Sequence, residues 1–240
     1  ILLALSLYWV PGIWGDAAPA QGQADGPATQ SRELARAEGT GEARDLMEKL
    51  EETRQENPDT VGWIRVNGTK IDYPVVQTQN NEYYLTRDFE GNFTHAGWIF
   101  GDYRNNFDKL TDNKNTILYG HGRRDMSMFG SIEYCREDWW QQGDAYHIVR
   151  LTTKNEQSVW RVFAVFTTSV DFNYIQTTFA NDAEFLGMVR EMENKSFCDF
   201  GVDVGADDRI ITLSTCTDDA DRLVLCAKLI KSDVRTPDAD

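Results

Sequence analysis

Arg209-Ile-Ile-Thr-Leu-Ser-Thr-Cys216 is the most informative stretch of this chain, because it has the composition of a buried strand and ends in a nucleophilic side chain. Its isoleucines and its leucine favour extended backbone. Thr217-Asp-Asp-Ala-Asp221 interrupts the apolar pattern, and Arg222-Leu-Val-Leu-Cys-Ala-Lys-Leu-Ile230 resumes it. The pattern predicts a strand, a short acidic loop and a second strand.

Cys216 stands where the first of these strands meets the loop, and Arg222 opens the second strand. The two positions are close across such a hairpin, and a nearby cation favours the thiolate, which is the nucleophilic form of cysteine. The alternative is that Cys216 is a small apolar core residue, as free cysteines usually are. Taken alone, Cys216 fits that alternative better.

Asn115-Thr-Ile-Leu-Tyr-Gly-His121-Gly122 changes this weighing, because it predicts another strand that ends in a chemically active side chain. The glycines on both sides of His121 allow the backbone to turn there. One strand thus ends in cysteine, another ends in histidine, and a cation opens a third. Acyl transfer through a thioester requires these groups: a nucleophile, a proton donor and acceptor, and a charge stabiliser.

Several segments also resemble one known family. Thr212-Leu-Ser-Thr-Cys216 resembles the TLxTC signature of sortases, and Tyr119-Gly-His121 with Ser127-Met-Phe-Gly130 resembles the segment around the sortase histidine. The resemblance keeps the order of the segments and extends from about residue 45 to residue 231. The segments that resemble the opening of class B sortases in particular are Asn57-Pro-Asp-Thr-Val-Gly-Trp-Ile64, Ile71-Asp-Tyr-Pro-Val-Val76 and Tyr83-Tyr-Leu85.

The resemblance implies a membrane-anchored cysteine transpeptidase that needs no cofactor and no metal. Its implied substrates are secreted proteins that carry a C-terminal, Asn-Pro-x-Thr-like sorting signal. The acyl group would pass to an amine on a peptidoglycan precursor or on a pilin. The residues on which these roles fall are Cys216, His121 and Arg222 for catalysis, and Ser214, Thr215, Tyr174 and Ile175 for substrate binding.

The remaining sequence predicts a mainly β domain of about eight strands, best arranged as a closed barrel with peripheral helices and an N-terminal helix. We expect one helix over Met126–Trp140 and another over Asp182–Lys195, each with apolar residues at helical spacing. The second helix lies in the long insertion Asp171–Asp207, and insertions of that length are usually functional when they are ordered.

The N-terminal part of the chain has a different composition. Ile1–Gly15 is almost wholly apolar, and we expect it to be the end of a signal-anchor that holds the catalytic domain outside the cell. Ala17-Ala-Pro-Ala20 leaves a cleaved signal peptide as the alternative. The predicted divisions are an anchor remnant (1–15), a flexible linker (16–31), a helical region (32–56), a catalytic barrel (57–232) and a C-terminal tail (233–240).

Composition and the other polar residues restrict the remaining possibilities. Of the 240 residues, 41% are hydrophobic, which is enough for one substantial core. The net charge of −15 argues against a nucleic-acid partner, because such a partner requires a basic surface. His95 is expected in a loop and His147 within a strand. Asp102, Asp108 and Asp112 lack the alternate spacing of a calcium loop and predict a solvated acidic face.

The cysteines leave one structural question open. The chain has four of them, without the spacing of a zinc site. In an oxidising compartment Cys135 and Cys198 could form a disulfide. A bond between Cys216 and Cys226 would prevent catalysis, and the matched motifs favour a free Cys216.

The sequence leaves three other functions open. Water instead of an amine would make the enzyme a cysteine endopeptidase, and a pilin amine would make it a pilin-polymerising sortase. A non-catalytic module that binds the cell wall is a third possibility. The presence of Cys216, His121 and Arg222 together disfavours that module, since binding alone does not need all three.

Overall fold

The computed structural model describes residues 40–169, 171–216 and 221–234. The expected anchor (1–15), the linker (16–31) and most of the C-terminal tail lie outside these ranges, as do residues 217–220 of the acidic loop. Within the described ranges, no helix has both the length and the apolar character needed to cross a membrane.

In the described part of the chain, eight strands close into a barrel, which confirms the predicted fold class. Their order around the barrel is β1-β2-β3-β4-β7-β8-β6-β5. β2 pairs with β3 in parallel, β4 pairs with β7 in parallel, and the other neighbours are antiparallel. The strands are β1 Thr60–Val66, β2 Asp72–Val76, β3 Phe100–Gly101, β4 Asn115–His121, β5 Ile148–Thr153, β6 Glu156–Ser169, β7 Ile210–Cys216 and β8 Asp221–Val234.

Three α-helices lie on the outside of the described barrel: α1 Thr40–Glu56, α2 Asp138–Gln141 and α3 Asp182–Lys195. The bounds of α3 are those that the sequence predicts. Asn181 caps it, since its side-chain oxygen accepts a hydrogen bond from the Glu184 amide at 3.0 Å. The apolar face of α3 packs against the outer face of β6, β7 and β8 through Phe185, Met188, Val189 and Met192.

The prediction of a single helix over Met126–Trp140 is wrong. Met126 and Met128 have positive φ values of 64° and 51°, which interrupt a right-handed helix, and the helical part divides into a 3₁₀ helix, Gly130–Arg136, and the short α2. The backbone of this segment instead turns back onto β4, where the Phe129 amide donates to the His121 carbonyl at 3.0 Å. The segment after β4 therefore closes over the end of that strand.

The core has an inner and an outer part, and β4 belongs to both. Leu118 points into the barrel, while its neighbours Ile117 and Tyr119 pack outside against Tyr84 and Phe100. This follows from the alternation of side chains along a strand. Because both faces are covered, β4 reads as a continuous buried run rather than as an alternating one.

The three cysteines whose side chains the structure describes are free thiols. Cys135 and Cys226 are fully buried and Cys198 is half-buried, so the possible bond between Cys135 and Cys198 is not formed. Burial raises the pKa of the Cys135 thiol well above its usual value, and it raises the pKa of the Cys226 thiol to about 12. Burial and the charge of Asp199 also raise the pKa of the Cys198 thiol. These three thiols are therefore poor nucleophiles at neutral pH.

Gly130 provides a test of how the segment after β4 is packed. A Cβ atom at this position would lie 2.2 Å from the Arg123 carbonyl oxygen, so Gly130→Ala must displace backbone. We expect a loss of about 1–3 kcal/mol in the free energy of unfolding, measured by chemical denaturation. Gly187 in α3 is the matched control, because nothing lies within 4 Å of its added Cβ, and Gly187→Ala should stabilise by about 0.5–1 kcal/mol. Equal stabilities of Gly130→Ala and the parent would contradict this packing.

Candidate active site

The ends of β4 and β7 form the centre of the candidate site. The two strands run parallel in one register from Asn115 with Ile210 to His121 with Cys216, which is their last pair. Neighbouring strands lie about 4.8 Å apart, so this register places the backbones of His121 and Cys216 side by side. The two strand ends that the sequence singles out are thus brought to one edge of the barrel.

Arg222 lies on the other side of the Cys216 strand. β8 pairs antiparallel with β7, and Ser214 with Val224 is the last of their register pairs. Cys216 lies two residues after Ser214 on β7, and Arg222 lies two residues before Val224 on β8. Since the strand order is β4-β7-β8, the strand that ends in Cys216 lies between the strands that carry His121 and Arg222.

The imidazole of His121 is held by a backbone carbonyl. Its Nε2 atom lies 2.8 Å from the carbonyl oxygen of Leu85, the last residue of the 3₁₀ turn Tyr83–Leu85. A carbonyl oxygen can only accept a hydrogen bond, so Nε2 must carry the proton. In the neutral ring Nδ1 then has the free lone pair, and Nδ1 is the nitrogen available for proton transfer.

Gly97 makes room for this contact. Its φ is +56°, and an added Cβ would lie 2.7 Å from the Leu85 carbonyl oxygen and 2.8 Å from Cδ2 of His121. Both the backbone conformation and the space therefore require glycine. The sequence analysis missed Leu85 and Gly97 as parts of the site, because neither residue type signals a role near a histidine.

The predicted substrate-binding residues lie around β7. Tyr174 and Ser214 are buried, with exposures of 5% and 2%, and their hydroxyl oxygens lie 2.9 Å apart. Thr215 is also buried, and its hydroxyl accepts a hydrogen bond from the Leu223 amide at 2.8 Å. Ile175 is half-buried and packs on the same cluster as Leu85. A role of these residues in substrate binding stays a prediction.

Asp102 does not belong to a solvated acidic face, so that expectation is wrong for this residue. Asp108 and Asp112 are exposed, but Asp102 is fully buried beside β3. Burial alone would raise the pKa of its carboxyl, but hydrogen bonds from Arg104 and Tyr119 outweigh burial and hold that pKa below its usual value.

The other two histidines lie in different surroundings. His95 is exposed in a loop, and its ring packs on Phe93. His147 is buried against Trp140 and Phe200, and burial lowers the pKa of its ring. Among the described residues, no three histidine, cysteine or acidic side chains are grouped as a metal site.

A comparison with known protein families shows to which family this chain belongs. A family model described as the sortase domain matches residues 64–230 of the chain. The chain belongs to the sortase family. Sortase B of Listeria monocytogenes is 36% identical over 211 residues, which cover 86% of this chain and 82% of that protein. This sortase is of the class B type.

Solved structures agree with this assignment. The structure of a Staphylococcus aureus sortase B–substrate complex matches with a TM-score of 0.72 and 34% identity, over 85% of this chain and 99% of that one. A sortase B complexed with triglycine matches with a TM-score of 0.72 and 35% identity, over 84% of this chain and 99% of that one. Sortases are cysteine transpeptidases that act on sorting-signal substrates, and this sortase is one of these enzymes.

The contact between His121 and Leu85 predicts which tautomer this sortase contains. When the imidazole ring of His121 is neutral, we expect its proton on Nε2, because the Leu85 carbonyl accepts a hydrogen bond from that atom. Long-range ¹H–¹⁵N correlation spectra distinguish the two tautomers, and the spectrum of His121→Gln identifies the signal. A neutral ring protonated on Nδ1 would contradict the assignment.

Proposed function

We propose that this sortase cleaves an Asn-Pro-x-Thr-like sorting signal on a secreted protein and joins the new acyl end to an amine of the cell wall. The observation that carries the proposal is the register of β4 and β7, whose last pair is His121 with Cys216. The position of Arg222 on the neighbouring strand completes the set of groups that thioester chemistry requires.

In the first half-reaction, the Cys216 thiolate attacks the carbonyl carbon of the substrate threonine. Negative charge develops on the carbonyl oxygen, and the Arg222 guanidinium donates hydrogen bonds to it. The carbon–nitrogen bond then breaks, and protonated Nδ1 of His121 gives its proton to the leaving amine. The result is a thioester on Cys216, a released C-terminal peptide and a neutral imidazole.

In the second half-reaction, an acceptor amine attacks the thioester. Nδ1 of His121, which has its lone pair again, takes the proton from this amine, and the Cys216 thiolate leaves. The Leu85 carbonyl holds Nε2 in both halves, so the same ring nitrogen serves as acid and then as base. Because a relative is described as complexed with triglycine, a short glycine peptide is the acceptor that we propose to test first.

The proposed location is the outer face of the cell membrane, with a single N-terminal anchor. The apolar composition of Ile1–Gly15 and the linker-like residues after it support this location. A catalytic domain so tethered meets secreted proteins as they leave the membrane. An acceptor on a peptidoglycan precursor would attach them to the wall, whereas an acceptor on a pilin would assemble a pilus.

A ligation assay tests the proposed function. The purified protein is incubated with a panel of sorting-signal peptides and with triglycine, and products are identified by mass spectrometry. We expect a ligated product that requires Cys216, with His121→Ala slower by about 10²–10⁴-fold. A hydrolysed product that triglycine does not divert would identify an endopeptidase. No cleavage and no thioester with any peptide would refute the proposal.

Arg222→Lys tests whether Arg222 acts on the substrate. Lysine keeps the positive charge but lacks the planar fork that can donate to two oxygens at once. We expect Arg222→Lys to fold normally and to lose turnover by about 10²-fold or more, and Arg222→Ala to lose more. Ligation by folded Arg222→Lys at the rate of the parent would remove Arg222 from the catalytic set.

A further inference from the structure

The buried carboxylate of Asp102 connects segments that are far apart in the chain. Its Oδ1 accepts hydrogen bonds from the Arg104 amide at 2.9 Å and from Arg104 Nε at 2.8 Å. Its Oδ2 accepts from an Arg104 terminal nitrogen at 2.7 Å, from the Asn81 amide group at 3.0 Å and from the Tyr119 hydroxyl at 2.9 Å. Five donors thus satisfy one carboxylate that has no contact with solvent.

Arg104 also contacts the long insertion Asp171–Asp207. The same terminal nitrogen that contacts Asp102 also donates to the carbonyl oxygen of Ile175 at 3.0 Å. Arg104 is partly exposed, with 37% of its side chain accessible, whereas Asp102 is not. The guanidinium therefore lies between a fixed, buried anion and a backbone carbonyl at the surface.

Two further contacts hold the neighbouring residues of Ile175, and we call residues 174–176 the clamped segment. The Asn115 side chain of β4 donates to the carbonyl oxygens of Tyr174 and Gln176, at 3.1 Å and 3.0 Å. Three consecutive backbone carbonyls thus accept hydrogen bonds from side chains of β4 and of the loop that follows β3. Three side-chain hydrogen bonds to successive carbonyls are unusual in a surface loop, because the carbonyls of such loops normally face solvent.

The clamped segment is held at Asn115, the first residue of β4, and its side chains reach along β4 and β7 towards His121 and Cys216. Ile175 and Leu85 both pack on the cluster that contains Tyr119, which is two residues before His121. Leu85 supplies the carbonyl that holds the His121 ring. On the other side, Tyr174 contacts Ser214, which is two residues before Cys216. A displacement of the clamped segment would move side chains that contact β4 and β7 two residues before His121 and Cys216.

We propose that Asp102 and Arg104 are positioning residues, which hold the clamped segment as a fixed wall of the peptide site and thereby set the affinity for the sorting signal. This proposal rests on the proposed function, because it assumes that a peptide binds beside Cys216 and His121. Neither residue takes part in the chemistry. Asp102 orients the guanidinium, and the guanidinium orients the backbone at Ile175.

Arg104→Lys is the variant that isolates this role. Lysine can still pair with Asp102, but it has no planar fork with which to contact the carboxylate and the Ile175 carbonyl together. Arg65→Lys is the matched control, because Arg65 also pairs with an aspartate, Asp72 at 3.2 Å, and has a similar exposure of 36%. Arg65 lies on β1, four strands away from β7 in the barrel order.

The experiment measures peptide cleavage by the parent and the two variants. For Arg104→Lys we expect KM for the peptide to rise about tenfold, as the loss of one hydrogen bond to a charged group predicts, with kcat within about twofold. The rate at which iodoacetamide alkylates Cys216 should stay at the parent value, since the reagent does not need the wall. Arg65→Lys should match the parent in all three quantities.

Hydrogen exchange gives a readout that does not depend on turnover. We expect the amides of residues 171–181 to exchange faster in Arg104→Lys than in the parent, while those of β4 keep their protection. Asp102→Asn should produce the same local change, provided that its thermal unfolding shows a folded protein. If the parent cleaves no peptide, the proposed function fails, and this measurement alone decides whether the clamp exists.

Three results would overturn the proposal. The first is a KM of Arg104→Lys equal to that of the parent. The second is a fall in kcat or in the alkylation rate of Cys216 with KM unchanged, which would place Arg104 in the chemistry. The third is unchanged exchange of residues 171–181, which would show that the Ile175 contact does not hold the segment.

Discussion

The parallel pairing of β4 with β7 is the constraint on which the rest of the site depends. Side chains alternate along a strand, so a register shift of one residue would exchange the inner and outer faces of β7 relative to β4. Leu118 and Leu213 are partners in this register, and both lie in the barrel core. The packing of that core therefore fixes the register that places His121 beside Cys216.

A backbone carbonyl orients the histidine of this sortase. The Leu85 carbonyl accepts from Nε2, and Gly97 leaves the space in which the ring and the carbonyl meet. A neutral acceptor forms a weaker hydrogen bond with imidazolium than a carboxylate does, since hydrogen bonds between charged groups are the strong ones. The contact with Leu85 therefore fixes which ring nitrogen is left for proton transfer.

A buried carboxylate next to this site is costly unless it is fully hydrogen-bonded. Asp102 meets that requirement with donors from the turn before Leu85, from β4 and from Arg104. Its partner Arg104 is partly exposed, so the pair joins a buried anion to the surface of the protein. This pair specifies the position of the backbone at Ile175 relative to the barrel.

The sequence by itself determined the two strands that end in Cys216 and His121, the helix Asp182–Lys195 and the eight-stranded barrel, because periodicity and turn signals are local. Only the tertiary structure decided that Met126–Trp140 is not one helix, that Asp102 is buried, and that Leu85 holds His121. The contact between Leu85 and His121 joins residues 36 positions apart, and Asn81 and Tyr119 contact Asp102 across 21 and 17 positions. No local pattern encodes such partners, since they follow from how the closed barrel brings its loops together.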